Sequence, residues 1–141
     1  MPDALEAGTH NTAGIAGLNE GVKYVLRHGA ERIGRSEKKL MHIFLNGLDE
    51  MRVLRVFKSE NESAQAALVS LVSEKSDCET IASKLAEKGI AVRSGLHCAP
   101  QAHRLGGTLE SGTVRFSFSP FISAAQARTA SHALENILKK L

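Results

Sequence analysis

The residues best suited to chemistry are gathered in one short stretch, Arg93-Ser94-Gly95-Leu96-His97-Cys98-Ala99-Pro100. The stretch holds a glycine and ends in Ala-Pro, which predicts a loop around the Cys98 thiol, not a helix or strand interior. Arg93 and His97 stand near the thiol in sequence. A cationic surrounding raises the thiolate fraction, and the thiolate is the nucleophile. The competing reading is a small buried apolar residue. Further along, Thr113 to Ser119 alternates, with Val114, Phe116 and Phe118 on one face and Arg115, Ser117 and Ser119 on the other. An arginine so placed can clamp a carboxylate with two parallel hydrogen bonds, or it can simply face solvent. Thr9 and Asn11 precede a helix start, a position that suits either an anion or plain capping.

Other chemistries fit less well. His97, Cys98 and His103 lie close together, but a structural zinc site wants four ligands at recognisable spacings. The remaining cysteine, Cys78, falls at a helix start, so no metal is expected. No Ser-His-Asp signature, phosphate-binding loop or dinucleotide fingerprint is present. The chain has 141 residues and a formal net charge of +3, with basic residues scattered and never more than two in a row. Without interleaved aromatics this is a solvated mixed-charge surface, and no nucleic acid is expected as a partner. No apolar stretch approaches the roughly 20 residues that span a bilayer. The opening residues show no signal peptide, and there are two cysteines in all. A cytoplasmic, reducing setting without a structural disulfide or membrane contact is the expectation.

These residues must be positioned by regular elements. Ile15, Leu18, Val22 and Val25 share one face of a first helix, Gly14, Gly17 and Gly21 lie on another, and Gly29 is the stop. A second helix is predicted from about Glu31 to Asp49, with Ile33, Leu40, Phe44 and Leu48 as its buried stripe. Strands are predicted over 51–57, 67–73, 90–92 and 113–119. A helix between the second and third strands carries Ile81, Ala82, Leu85 and Ala86 inward, opened by a Ser76–Glu79 capping box. Residues 101–112 read as mostly loop, with one helical turn near Ala102. Ser123 and Gln126 form a capping box for a final helix through Ala127, Ala130, Leu134, Ile137 and Leu141. This order predicts an α+β fold, a small mainly antiparallel sheet covered by helices on one face and preceded by two helices. It divides into a helical segment over 1–50 and an α+β domain over 51–141.

Three segments together resemble one family. Gly8-Thr9-His10-Asn11-Thr12, followed by a glycine-rich helix, resembles the Gly-Thr-Xaa-Asn segment of cysteine desulfurases and related class V aminotransferase-fold enzymes. Arg93 to Ala99 is similar to the active-site cysteine segment of the group with a short cysteine loop, the SufS-like enzymes. Thr113 to Ser119 resembles the strand that carries their second substrate-binding arginine. The resemblance implies the C-terminal small domain of a fold-type I, pyridoxal-phosphate-dependent homodimer that takes sulfur from L-cysteine, or acts on a similar amino acid. Carried onto this sequence, Cys98 would be the persulfide-forming nucleophile and His97 a group tuning the thiol or moving a proton. Arg115 would hold the substrate carboxylate with Arg93 beside it. Thr9 would contact the cofactor phosphate of the partner subunit. A sulfur-acceptor protein and self-association are the implied partners.

The departure from the family pattern is equally clear. Its members bind the cofactor through a lysine that directly follows a histidine, and no lysine of this chain follows a histidine. The chain alone is therefore expected to bind no cofactor and to be inactive without a cofactor-bearing large domain. The alternative reading is a stand-alone thiol module that relays sulfur through Cys98, or that dimerises, without cofactor chemistry.

Overall fold

A computed structural model describes residues 8–48 and 51–141. The opening residues and Asp49, on which the expected lack of a signal peptide and the expected end of the second helix rest, lie outside the described residues. The chain divides into two compact units, Met1–Ile33 and Gly34–Leu141. The first carries α1 (Thr12–His28), started by Asn11, whose side-chain oxygen accepts from the Gly14 amide at 2.9 Å, and stopped by Gly29. No residue of α1 is buried.

The second unit carries most of α2 (Ala30–Asn46), then β1 (Leu54–Phe57), β2 (Leu68–Ser73), α3 (Cys78–Ala86), β3 (Arg93–Gly95), α4 (Pro100–Gly106), β4 (Thr113–Ser117) and α5 (Ala124–Lys139). The four strands form one antiparallel sheet in the order β1-β2-β4-β3. The fold is α+β, as the element order predicts.

Alternation along the strands separates the two faces of the sheet. Val69 and Leu71 of β2 and Val114 and Phe116 of β4 are buried with Leu40, Met41 and Phe44 of α2, Ile81 and Leu85 of α3, and Leu134, Ile137 and Leu138 of α5. Phe44 is wholly buried, its ring 4.5 Å from that of Phe116 and 5.5 Å from that of Phe118. The opposite face carries Phe57, Ser70, Arg93 and Arg115, which the register sets side by side. There the Arg55 guanidinium lies over the Phe57 ring and donates to the Gly106 carbonyl, tying the end of α4 to β1. The expected capping box on α5 is present in both directions.

Local expectations are corrected, among them that the last strand runs to 119 and the last helix to Leu141, since β4 ends at Ser117 and α5 at Lys139. The third strand is Arg93–Gly95, not 90–92, because the Ile90 amide returns to the Leu85 carbonyl and finishes α3. That helix is capped by Asp77 and not Ser76, since the Asp77 carboxylate accepts from both the amide and the hydroxyl of Thr80 at 2.8 Å, and Ala86 is exposed. The first strand starts at Leu54, because turn bonds from Met51 to Leu48 and from Leu54 to Met51 occupy the residues before it. The helical turn expected near Ala102 is longer than one turn, a helix over Pro100–Gly106 with Pro100 in its first turn, where a missing N–H costs nothing.

Candidate functional site

β3 delivers the chain directly into the Cys98 turn. The Ala99 amide donates to the Leu96 carbonyl at 2.8 Å, and the two residues between them, His97 and Cys98, have φ of 53° and 59°. A four-residue turn with left-handed backbone at both central positions matches the tight turns that normally use Asn or Gly. Here side-chain contacts hold it. Arg93, at the start of β3, donates from Nη2 to Cys98 Sγ at 3.6 Å. His97 Nε2 lies 2.9 Å from the Thr113 hydroxyl, at the start of β4. Cys98 is an exposed free thiol, and Cys78 is a buried one.

Arg115 is brought to the same place by register. In the β3–β4 ladder Arg93 stands directly opposite Arg115, and Thr113 opposite Gly95. Two guanidinium groups thus flank the turn from adjacent strands. Arg115 Nε is buried without a hydrogen-bond partner, as is His97 Nδ1, and these are the two such side-chain atoms among the described residues. A buried donor left unpaired is costly, so such atoms point to a missing acceptor.

The His97 imidazole is held below its ordinary pKa, first by its burial and then by the positive charges of Arg115, His103 and Arg93. It is neutral near pH 7, with one ring nitrogen carrying a proton. The His103 ring sits 5.6 Å away, and its Nδ1 is 2.8 Å from the Thr108 hydroxyl. Among the described residues no group of three His, Cys, Asp or Glu side chains is placed to hold a metal ion. Nor is any helix there long and apolar enough to cross a membrane.

The geometry thus gathers Cys98, His97, Arg93 and Arg115, four of the five residues singled out from sequence. Thr9 lies in the first unit, exposed, three residues before α1. Sequence reasoning missed Thr113 and the pair His103–Thr108. Thr113 carried a usable signal, since alternation sets it on the face of Arg115. Of the other pair, His103 stands out in sequence only as a neighbour of His97 and Cys98, and nothing there marks Thr108 as its partner.

Chemically, an exposed thiol touched by one guanidinium, next to a second whose Nε lacks an acceptor, suits a small anionic molecule. Residues 1–128 match the family model for aminotransferase class-V. A probable cysteine desulfurase of Pyrococcus abyssi is 37% identical over 141 residues, covering 99% of this chain and 34% of that protein. A cysteine desulfurase of Serratia proteamaculans is 35% identical over 98 residues, covering 70% of this chain and 23% of that one. The apo structure of cysteine desulfurase from Thermococcus onnurineus superposes with a TM-score of 0.87 at 35% identity, over 99% of this chain and 34% of that one. The Escherichia coli cysteine desulfurase CsdA, in its S-sulfonic acid form, gives 0.83 at 25% identity, over 98% and 33%. The chain spans between 23% and 34% of the length of these relatives.

Proposed function

Because the chain belongs to the aminotransferase class-V family, we propose that it is the C-terminal part of a cysteine desulfurase and supplies that enzyme's sulfur-accepting thiol and carboxylate-binding arginine. The observation that carries this reading is the Arg93–Arg115 pair, with Cys98 held against Arg93 on a left-handed turn. Arg115, with its unpartnered Nε, binds the carboxylate of L-cysteine or a similar amino acid, and Arg93 adds a second positive charge. The thiolate of Cys98 attacks the substrate sulfur, and the S–S bond forms as the substrate Cβ–S bond breaks. The electron pair of that bond stays with the carbon, which takes up a proton and leaves as alanine, and the sulfur remains on Cys98 as a persulfide. Pyridoxal phosphate, when bound, would supply the electron sink that makes that C–S bond labile. His97, neutral at pH 7, tunes the thiol or moves its proton. The persulfide at the exposed Cys98 is then open to a sulfur-acceptor protein.

The fit to pyridoxal phosphate is different. Cys98, His97, Arg93 and Arg115 are donors for a carboxylate and a sulfur, and none is an amine that could anchor that cofactor covalently. This part of the enzyme therefore binds, orients and accepts, while the cofactor's anchor belongs to the large domain. Thr9 would hold the cofactor phosphate of a partner subunit in a homo-oligomer. In this reading residues 1–50 form the junction to the large domain and 51–141 the site-bearing domain of a cytoplasmic enzyme.

The test is a chimera in which this chain replaces the matched segment of the Pyrococcus abyssi relative, loaded with pyridoxal phosphate and given L-cysteine. Sulfide and alanine should form, and Cys98→Ser and Arg115→Ala should each abolish sulfide. Sulfide release that survives Cys98→Ser refutes the assignment of the nucleophile. A second reading, a thiol-relay or dimerisation module without cofactor chemistry, is favoured by the exposed apolar stripe of α1, where Ile15 and Leu18 are 59% and 68% accessible. It requires self-association of the isolated chain, which size-exclusion chromatography reads directly.

A further inference from the structure

Cys98 stands on a backbone that its own sequence does not favour. A left-handed φ is costly for a residue with a Cβ, and here two such residues follow one another, His97 and Cys98. The Leu96–Ala99 hydrogen bond closes the turn but does not select the left-handed form, since common turns close the same way with negative φ. Something outside the turn must hold it. The Arg93 contact ends on the sulfur itself and is long. The His97 ring is the remaining handle, and its short contact is to Thr113.

Thr113 is well suited to be the fixed end. It is buried, at 3% accessibility, and opens β4, whose next residues Val114 and Phe116 are core. A buried hydroxyl needs a partner, and the His97 ring offers Nε2 at 2.9 Å, as donor or acceptor according to its tautomer. We propose that Thr113 is a positioning residue for Cys98: its hydroxyl holds the His97 ring, and the ring holds the left-handed turn that sets the thiol against Arg93. The proposal goes beyond the desulfurase reading, because it assigns a role to a strand residue that never meets substrate. It rests on that reading only for the meaning of Cys98, and its test uses no substrate.

The experiment is iodoacetamide alkylation of the whole chain at pH 7, followed by peptide mass spectrometry at Cys98, with the buried Cys78 as an internal reference. Thr113→Val keeps the shape and removes the hydroxyl. It frees His97, lets the turn relax and moves the sulfur away from the guanidinium that favours the thiolate, so Cys98 alkylation should slow roughly three- to tenfold, the worth of one hydrogen bond. Thr113→Ser should restore the wild-type rate. In a His97→Gly background Thr113→Val should change nothing, because glycine takes a positive φ unaided and has no ring to hold. Equal rates for Thr113→Val and wild type overturn the proposal, as does the same slowing in the His97→Gly background. A readout independent of any effect at Thr113 compares His97→Gly with His97→Ala. Both variants lose the ring, but glycine should alkylate faster than alanine, and equal rates would show that the left-handed turn is not what His97 maintains. A failed chimera alongside intact Thr113 coupling would sink the desulfurase reading alone.

Discussion

Replacing Arg115 by methionine should make the protein more stable, although it removes a half-buried charged side chain from the middle of a sheet. Arg115 stands directly opposite Arg93 in the β3–β4 ladder. Like charges so placed oppose pairing by roughly 0.2–1 kcal/mol. Arg115 Nε is also buried without an acceptor, and an unsatisfied buried donor costs about 1–3 kcal/mol. Methionine keeps an unbranched apolar stem and has neither liability, so part of both costs should be recovered, a gain of about 1–2 kcal/mol. For a unit of this size that is a rise of roughly 4–9 °C in Tm. The chain has no tryptophan and one tyrosine, so urea and thermal unfolding are best followed by far-UV circular dichroism. A control comes from salt. The charge part of the gain is screened as NaCl rises from about 0.1 to 1 M, whereas the orphaned-donor part is not. The stability gap between variant and wild type should therefore narrow without closing. An Arg115→Met protein less stable than wild type would refute the reasoning, and would mean that the guanidinium has a partner worth more than the two penalties together.

Other perturbations test the scaffold and the turn. Phe44→Ala empties the centre of the Phe116–Phe118 cluster and should cost about 3–5 kcal/mol in urea unfolding. Ser123→Ala removes one half of the α5 capping box and should cost about 1 kcal/mol. Gly112→Ala should destabilise by more than a surface change, because φ is 60° there and a Cβ would lie 2.9 Å from Gly95 Cα and 3.0 Å from Cys78 Sγ; thermal melting reads it. The folded state lowers the His97 pKa, so the unfolded chain takes up a proton that the folded one refuses. This group's contribution is fully present above about 6.5, its ordinary pKa, and is lost as pH falls through the lower folded value. Urea midpoints measured downward from pH 7 should fall less steeply in His97→Gln than in wild type.

What could be read from sequence was what is decided locally. The α5 start depends on two side chains three residues apart, and β4 on a strict alternation of aromatic and polar residues; both were legible and both are present. The errors fall where a local signal was overridden by a neighbour. Ile90–Val92 has strand composition, yet the Ile90 amide is taken by the end of α3, and pairing with β4 begins at Arg93. Asp77 displaces Ser76 as the cap because its two carboxylate oxygens accept from both the amide and the hydroxyl of Thr80. Of α4 only a turn near Ala102 is legible, because Pro100 and Gly107 bracket it and it is short. The left-handed pair His97–Cys98 had no sequence signal, since neither residue is a glycine or asparagine and the ring that holds the turn reaches a strand sixteen residues away.

The candidate site is nevertheless tied to the part of the fold that sequence specifies best. Val114 and Phe116 bury one face of β4, and with a side-chain period of two this fixes Arg115 and Thr113 to the other face. A slip of one residue would drive Arg115 among Phe44, Leu71 and Val69 and bring the two phenylalanines to the surface, a cost that no site contact could offset. The same register sets Arg93 across from Arg115 and Gly95 across from Thr113, so the turn leaving Gly95 begins beside the residue that anchors it. The core therefore chooses the register, and the register brings two arginines into a pairing that sheet stability alone would reject. A pairing of that kind persists only where something other than stability needs it, and an anion bound between the two strands would satisfy Arg115 Nε and neutralise the repulsion at once.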